Sequence, residues 1–315
     1  LTYPPEVRRF DLHLHSSRSD GHYPPEEVLA RCARGGLDVV ALTDHDLSTP
    51  VPVGPLQIGG RTLHVLGGAE LSGVHEGREL HLLVYFPGEI PEGFRDFCRQ
   101  RAAARAVRYE EAVRRLDLPG LTGPDDDAVA GERSLTRHHL ARALVAAGHA
   151  QDLRDAFRRF TAASGGHVPQ FDLAFTEAIR VARAHGGLTS WAHPPLKLVE
   201  SALPALVAAG LQALEGIRPG ISGEERRKLR QHARKYGLLV TGGSDWHGWS
   251  DGDPGTFFVD RADLRELFAA LDPIASAVRG PMETAALDPI TSAVRGPNES
   301  AVRGPNESAV RGTDA

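Results

Sequence analysis

Asp11-Leu12-His13-Leu14-His15, followed by Ser19-Asp20-Gly21, is the stretch on which the fold turns. Flanked by apolar residues it reads as a strand, and the period of two sets both imidazoles on one side. A carboxylate five residues later, in a turn that contains a glycine, completes the kind of face a strand end offers to a metal ion. The chain returns to this chemistry at His45, Glu70, His81, His193, Asp245 and His247. A single histidine in a strand is ordinarily a hydrogen-bonded core residue, and a single carboxylate at a turn is ordinarily a cap. Placement distinguishes this set: most of the segments fall where a predicted strand runs out, and core packing does not call for imidazoles and acids there.

Working outward, a strand is predicted over 9–14. Pro24-Pro25-Glu26-Glu27 opens a helix, with proline in the first turn and acids near the positive end of the dipole, and Gly35-Gly36 ends it. A buried strand over 38–42 then stops at Thr43-Asp44-His45-Asp46. This is a βαβ unit with polar residues gathered at strand C-termini, the edge where α/β barrels place their chemistry. The Pro- and Gly-rich connection over 50–60 is too short for a crossover helix, so one barrel helix is expected to be missing. Strands are predicted over 62–66 and 80–86, the second with His81 near its start. A long Arg-rich helix over 91–116, a loop over 120–134, and helices over 136–147 and 152–163 follow. The α/β rhythm resumes with a helix over 174–185, a strand over 187–192, a helix over 200–209, a strand over 213–217, a helix over 222–236 and a strand over 238–241. A strand over 256–259 and a helix over 261–271 complete it. The organisation read from this pattern is a barrel in two parts, 1–89 and 169–271, interrupted by a helical insertion over 90–168 that overhangs the mouth. In 272–315, Leu-Asp-Pro-Ile occurs twice and Ala-Val-Arg-Gly-Pro-Asn-Glu-Ser repeats in tandem. Units so short, each broken by Gly or Pro, cannot bury a continuous apolar face, and a disordered tail is expected.

The chain of 315 residues is long enough for a large core, and 41% hydrophobic with 24% charged residues is an ordinary globular balance. A net charge of −5 argues against a broad basic surface for duplex DNA, though not against small phosphorylated substrates or short RNA. Cys32 and Cys98, far apart in helical patterns, read as buried thiols of a reducing compartment. With no apolar run of about 20 residues and no basic-then-apolar leader, a cytoplasmic location and no membrane contact are expected. Oligomeric state is not legible.

Several motifs stand in a familiar order: Asp-Leu-His-Leu-His-Ser, Leu-Thr-Asp-His-Asp, Gly-Ala-Glu-Leu-Ser, Glu-Leu-His-Leu-Leu, Ala-His-Pro and Gly-Ser-Asp-Trp-His-Gly. Over about 10–271 the chain resembles the PHP (polymerase and histidinol phosphatase) superfamily. Arg137-His138-His139-Leu140-Ala141-Arg142 is similar to a motif of the branch with nucleoside 3′,5′-bisphosphate phosphatases and a 5′–3′ RNA exonuclease, with His138 where that branch has proline. The resemblance implies a distorted (β/α)7 TIM-like barrel of the α/β class with an inserted helical subdomain. It also implies two or three divalent ions, with manganese foremost and iron or zinc as alternatives. One ion would be held by His13, His15, Glu70 and Asp245, a second by Glu70, His81 and His193, and a third by Asp20, His45 and His247. The implied nucleophile is a metal-bound hydroxide held by Glu70, His13, His15 and Asp245, so Ser16, Ser72 and Ser244 are assigned to structure. Arg137, His139 and Arg218 are the candidates for a second phosphate, Arg218 standing where relatives are expected to have histidine. The implied activity is hydrolysis of nucleotide phosphate esters. The alternatives are histidinol-phosphate hydrolysis and a non-catalytic metal-stabilised module.

Overall fold

In the computed structural model, which describes residues 7–161, 166–249 and 252–269, β1 (Arg9–Leu14) is buried along nearly its whole length. Helix α1 (Pro25–Arg34) starts after Pro24 and carries Glu26 and Glu27 in its first turn and Arg31 and Arg34 in its last, matching the helix dipole at both ends. It lays Val28, Leu29 and Cys32 on the outer side of β1 and β2 (Val39–Leu42), against Leu14, Val40 and Leu42.

Where a crossover helix would stand, β3 (Gly54–Ile58) instead folds antiparallel onto β4 (Arg61–His75). Gly59 and Gly60 join them, both with positive φ (57° and 78°), the conformation that a tight type I′ hairpin needs. The missing helix is therefore replaced by a hairpin. Strand β4 does not end at Gly67-Gly68, as the sequence suggested. It runs on for 15 residues, its first half parallel to β2 and its second half antiparallel to β5 (Arg78–Phe86). The glycines belong to the strand because neighbours crowd it: a Cβ on Gly67 would collide with Ile90.

Strand β5 is also antiparallel to β6 (Leu188–Trp191), whereas β6, β7 (Ala213–Ile217) and β8 (Leu239–Gly242) run parallel. The sheet order is β8-β7-β6-β5-β4-β2-β1, with β9 (Val259–Asp260) antiparallel on the outer edge of β1. Backbone beyond β8 closes the ring: Asp245 N–H donates to the His13 carbonyl (2.9 Å) and His15 N–H to the Trp246 carbonyl (2.9 Å). The result is a nearly closed, distorted α/β barrel, with Phe10, Leu12, Val39, Ala41, Leu83, Tyr85 and Ala213 in one buried cluster. Each fully buried leucine or phenylalanine of such a core contributes about 1.5–3 kcal/mol.

Between β5 and β6 lie α2 (Glu92–Leu116), α3 (Asp126–Val129), α4 (Arg137–Ala146), α5 (Leu153–Ala156) and α6 (Phe175–Ala184). The helix expected over 152–163 runs through α5 into a π-helical turn at Phe157–Thr161, and 162–163 lie outside the described residues. On the outside, α7 (Leu196–Ala208) starts earlier than expected and continues through Pro204, and α8 (Gly223–Lys235) opens with a capping box between Ser222 and Glu225. The strand expected over 256–259 is reduced to β9, and the helix expected over 261–271 begins as a 3-10 turn, Arg261–Leu264. The repeat segment 272–315 lies outside the described residues. Among the described residues no helix is long and apolar enough to cross a membrane.

Candidate metal centre

The histidine pair reaches the barrel mouth through an irregularity in β1. Its ladder with β2 shifts register between Asp11 and Leu14. Leu12 accordingly joins the inner cluster while Leu14, two residues on, packs in the outer layer under α1. The bulge leaves His13 and His15 both facing the residues at the strand ends. Reversal of β5 has a similar consequence: its first residues lie at the edge where the parallel strands end. That is why His81, near the start of its strand, meets residues at the ends of the others. Opposite it, Ser72 pairs with His81 in the ladder, which puts Glu70 one step along the same stretch.

Glu70 is the hub. Its Oε1 lies 3.3 Å from His13 Nε2, 3.2 Å from His81 Nδ1 and 3.1 Å from His193 Nε2. Its Oε2 lies 3.3 Å from His15 Nε2 and 3.0 Å from His45 Nδ1. Asp245 Oδ1 is 3.4 Å from His13 Nε2 and 3.3 Å from His15 Nε2. Asp20 is 3.3 Å from His247 Nε2 and 3.6 Å from His45 Nε2. The nine residues named from sequence thus converge on one place. Their ligand atoms form three overlapping groups: His15, Asp20, His45 and His247; His13, His15 and Asp245; and His45, Glu70 and His81. Within each group the atoms all lie within 4.8 Å of one another. His193 joins through Glu70 and through His81 Nδ1, at 3.2 Å. Asp245 (φ 57°) and His193 (φ 31°) both hold left-handed backbone conformations that cost a non-glycine residue energy, strain that clusters at functional sites.

The donor set fits divalent ions. His13 Nε2, His15 Nε2, His45 Nδ1, Asp20 Oδ1 and Glu70 Oε2 are buried with no hydrogen-bond partner, although each faces another of the set within a few ångströms. Buried polar atoms without partners are costly, and lone pairs that converge without hydrogen-bond alignment are what a coordinated cation satisfies. The electrostatics agree. Burial opposes charging His13, yet Glu70, Asp245 and Glu215 hold its pKa well above the ordinary histidine value. Against the same burial cost, Glu70 and Glu79 raise His81 to about 10, and Asp20 and Asp245 raise His247 to about 9. Burial, with His247 and His45 close by, lowers His15 to about 4. Burial alone would raise the carboxylates, but the surrounding imidazoles bring Asp20, Glu70 and Asp245 below the usual range. Protons on three imidazoles thus stand in for the positive charge that ions would bring.

Residues outside the sequence-derived set orient these ligands. Glu215 accepts from His13 Nδ1 at 2.9 Å and from the His193 backbone N–H at 2.6 Å. Glu79 lies 3.3 Å from His81 Nε2. Asp44 accepts from Ser16 N–H, Ser16 Oγ and Ser19 Oγ, which fixes the loop that carries Asp20. A carboxylate that holds the far nitrogen of a ligand histidine sets its tautomer and basicity. Glu215→Gln is accordingly expected to weaken metal retention or turnover by about 10- to 100-fold, read by metal titration and phosphate release. A signal for Glu215 exists in the sequence, since an acid inside the buried strand Ala213–Ile217 needs a partner. No comparable signal marks Glu79.

Beside His45, His81 and Asp20 lies a cavity of about 110 Å³, whose other wall includes Arg105, Arg108 and Arg137. Arg105 is held by Asp46 (2.5 Å) and Ser72 Oγ (2.6 Å), and Arg108 by Glu79 (3.2 Å) and the Pro169 carbonyl (2.6 Å). Of the substrate-contact candidates, Arg137 lines this cavity, 3.6 Å from Glu79. His139 commits Nδ1 to the capping box of α4, accepting from Thr136 N–H at 3.1 Å. Its neighbour His138 lines the cavity instead. Arg218 is not brought to Arg137; it lines a separate, larger chamber that Asp245 also borders.

Comparison with known proteins places these features in context. The family model of the PHP domain matches residues 11–119. The chain is 32% identical over 248 residues to the 5'-3' exoribonuclease Rnm of Salmonella typhimurium, covering 76% of this chain and 85% of that protein. It is 28% identical over 256 residues to the 3',5'-nucleoside bisphosphate phosphatase of Chromobacterium violaceum, covering 78% and 90%. Among solved structures, it is similar to a Bifidobacterium adolescentis protein assigned as a metal-dependent phosphoesterase, with TM-score 0.66, 30% identity and coverage of 82% and 95%.

Proposed function

The chain belongs to the PHP family of metal-dependent phosphoesterases, and from that premise we propose that it hydrolyses phosphate esters of nucleotides, namely nucleoside 3′,5′-bisphosphates or the 5′ ends of short RNA. The observation that carries the reading is Glu70, fully buried among five imidazoles, next to a phosphate-sized cavity walled by three arginines. In this reading His13, His15, Glu70 and Asp245 hold one ion, Glu70, His81 and His193 a second, and Asp20, His45 and His247 a third. Manganese suits the mixture of imidazole and carboxylate, as iron or zinc would. Bound divalent ions supply positive charge for the phosphoryl oxygens and acidify water at neutral pH.

The chain's own residues do the rest. Glu215 and Glu79 keep His13 and His81 in fixed orientation through their far nitrogens. Arg137, backed by Arg105 and Arg108, grips the phosphate by charge-assisted hydrogen bonds, and the Glu79 contact holds the Arg137 side chain near the cavity. His139 supports this by capping the helix from which Arg137 projects. Residues 90–168 are then an inserted helical subdomain whose work is to wall the mouth of a barrel built from 1–89 and 169–271. Two free, buried cysteines fit a reducing, cytoplasmic setting.

Release of inorganic phosphate or mononucleotides from adenosine 3′,5′-bisphosphate and 5′-phosphorylated oligoribonucleotides, with added manganese, tests the proposal. Turnover of at least one of the two is expected. Inactivity on both after metal loading, or turnover of histidinol phosphate alone, would overturn it.

A further inference from the structure

The arginine-walled cavity beside the metal centre measures about 110 Å³, well below the range of about 300–1,000 Å³ typical of sites that enclose a whole small molecule. It takes a phosphoryl group and little more, so the rest of the ester must lie on its rim. Two of the side chains that line it are aromatic rings, Phe157 and His138.

Phe157 is placed there without a packing reason. Its neighbour Phe160 packs on the apolar cluster of the insertion and is covered by Arg159, whose guanidinium lies 4.5 Å from the ring centre. Phe157 is 37% exposed, belongs to none of the buried clusters, and makes no ring or cation contact among the described residues. Scattered exposed rings are ordinary, but this one stands on the wall of a cavity lined by three arginines and two metal-ligand histidines. It also opens the π-helical turn Phe157–Thr161, an irregularity that occurs most often at functional sites.

The second ring is braced from behind. His138 lies 5.0 Å from Trp249. The Trp249 indole donates its Nε1–H to the Asp20 carbonyl (2.7 Å), packs on His22 (4.4 Å) and carries the Arg142 guanidinium over its ring (4.3 Å). A ring fixed by its neighbours loses little freedom when a ligand stacks on it. The cavity thus joins cations suited to an anion with flat apolar surface at the same opening. A nucleotide has this combination, a charged phosphate one sugar away from a planar base.

We propose that Phe157 and His138 form a base-stacking rim, which receives the nucleobase of the nucleotide whose phosphate enters the cavity, and that Trp249 positions His138 for it. The inference rests on the nucleotide phosphoesterase reading above and names the residues that tell a nucleotide from a base-free sugar phosphate. Because every base presents a π face, such a rim favours bases over none without choosing among them.

The test is steady-state kinetics of the manganese-loaded full chain on two matched pairs. One is adenosine 3′,5′-bisphosphate and its analogue with hydrogen in place of adenine; the other is a 5′-phosphorylated oligoadenylate and the same oligomer without its first base. On whichever pair is turned over, removal of the base is expected to lower kcat/KM by about fivefold or more, mostly through KM. Phe157→Ala is expected to lower kcat/KM for the base-bearing member by about fivefold or more and for the base-free member by less than about twofold, with Phe157→Tyr close to wild type. His138→Ala should act in the same direction, by about two- to fivefold. A wild-type enzyme that treats both members alike, an equal fall on both with Phe157→Ala, or Phe157→Tyr as impaired as Phe157→Ala would overturn the assignment. Inactivity on every member of both pairs would instead remove the nucleotide reading itself, and the rim's ligand with it.

Discussion

Glu70→Gln is expected to cut kcat/KM for phosphate release by about a thousandfold or more while leaving the far-UV circular dichroism unchanged. The substitution keeps shape and volume, so the fully buried site suffers no cavity. What it removes is the one negative charge shared by His13, His15, His45, His81 and His193. It also replaces a carboxylate oxygen by an amide NH2, a donor that points at nitrogens which need an acceptor or an ion. Two of the proposed ion positions share this carboxylate, so both should weaken together. A Glu70→Gln enzyme with turnover within about tenfold of the parent would show that the hub is structural.

Metal removal should be the second large effect. Exhaustive chelation is expected to bring phosphate release to background, and added manganese to restore it. The melting temperature should fall with the lost binding energy, by about 2.7 kcal/mol of stability for ions held at a hundred times Kd. Protonation gives this experiment a sign. His81 and His247 have folded pKa values of about 10 and about 9, above the free value of 6.5. Their ion pairs with Glu70, Glu79, Asp20 and Asp245 stabilise the metal-free fold fully below pH 6.5, and that contribution is lost as pH rises through 9 to 10. The metal-loaded protein behaves in the opposite sense, because ions must displace those protons. Metal uptake at neutral pH should therefore release protons, seen as a calorimetric enthalpy that varies with the ionisation enthalpy of the buffer, and apparent affinity should rise with pH. Buffer-independent heats would contradict this picture of the centre.

Much of the centre is legible in the sequence alone. The alternation in Asp11–His15, the strand that stops at Thr43 and the acid–histidine pair at Asp245 and His247 are local patterns, and local patterns survive folding when apolar neighbours bury them. The reversed direction of β5 was not legible, because a strand's own sequence does not say which way its partner runs. Nor was the bulge in β1, whose slip places Leu12 and Leu14 on opposite sides although strict alternation would put them together. The length of β4 is not legible either, because Gly67-Gly68 has the composition of a turn and only the crowding by Ile90 explains why glycines stand inside the strand. The supporting acids show the same limit. Glu215 reaches His13 and the His193 backbone from 202 and 22 residues away, and Glu79 reaches His81 from two; none of these spacings carries a motif, and only the burial of an acid in a strand hints at Glu215.

The most direct test of the central claim is elemental analysis of the full chain, loaded with manganese, freed of loosely held ions by desalting, and compared with the Glu70→Gln variant. Two to three ions per wild-type chain, and at least one fewer in the variant, are the predicted result. Less than one ion per wild-type chain, or equal content in both proteins, would contradict a centre built around Glu70.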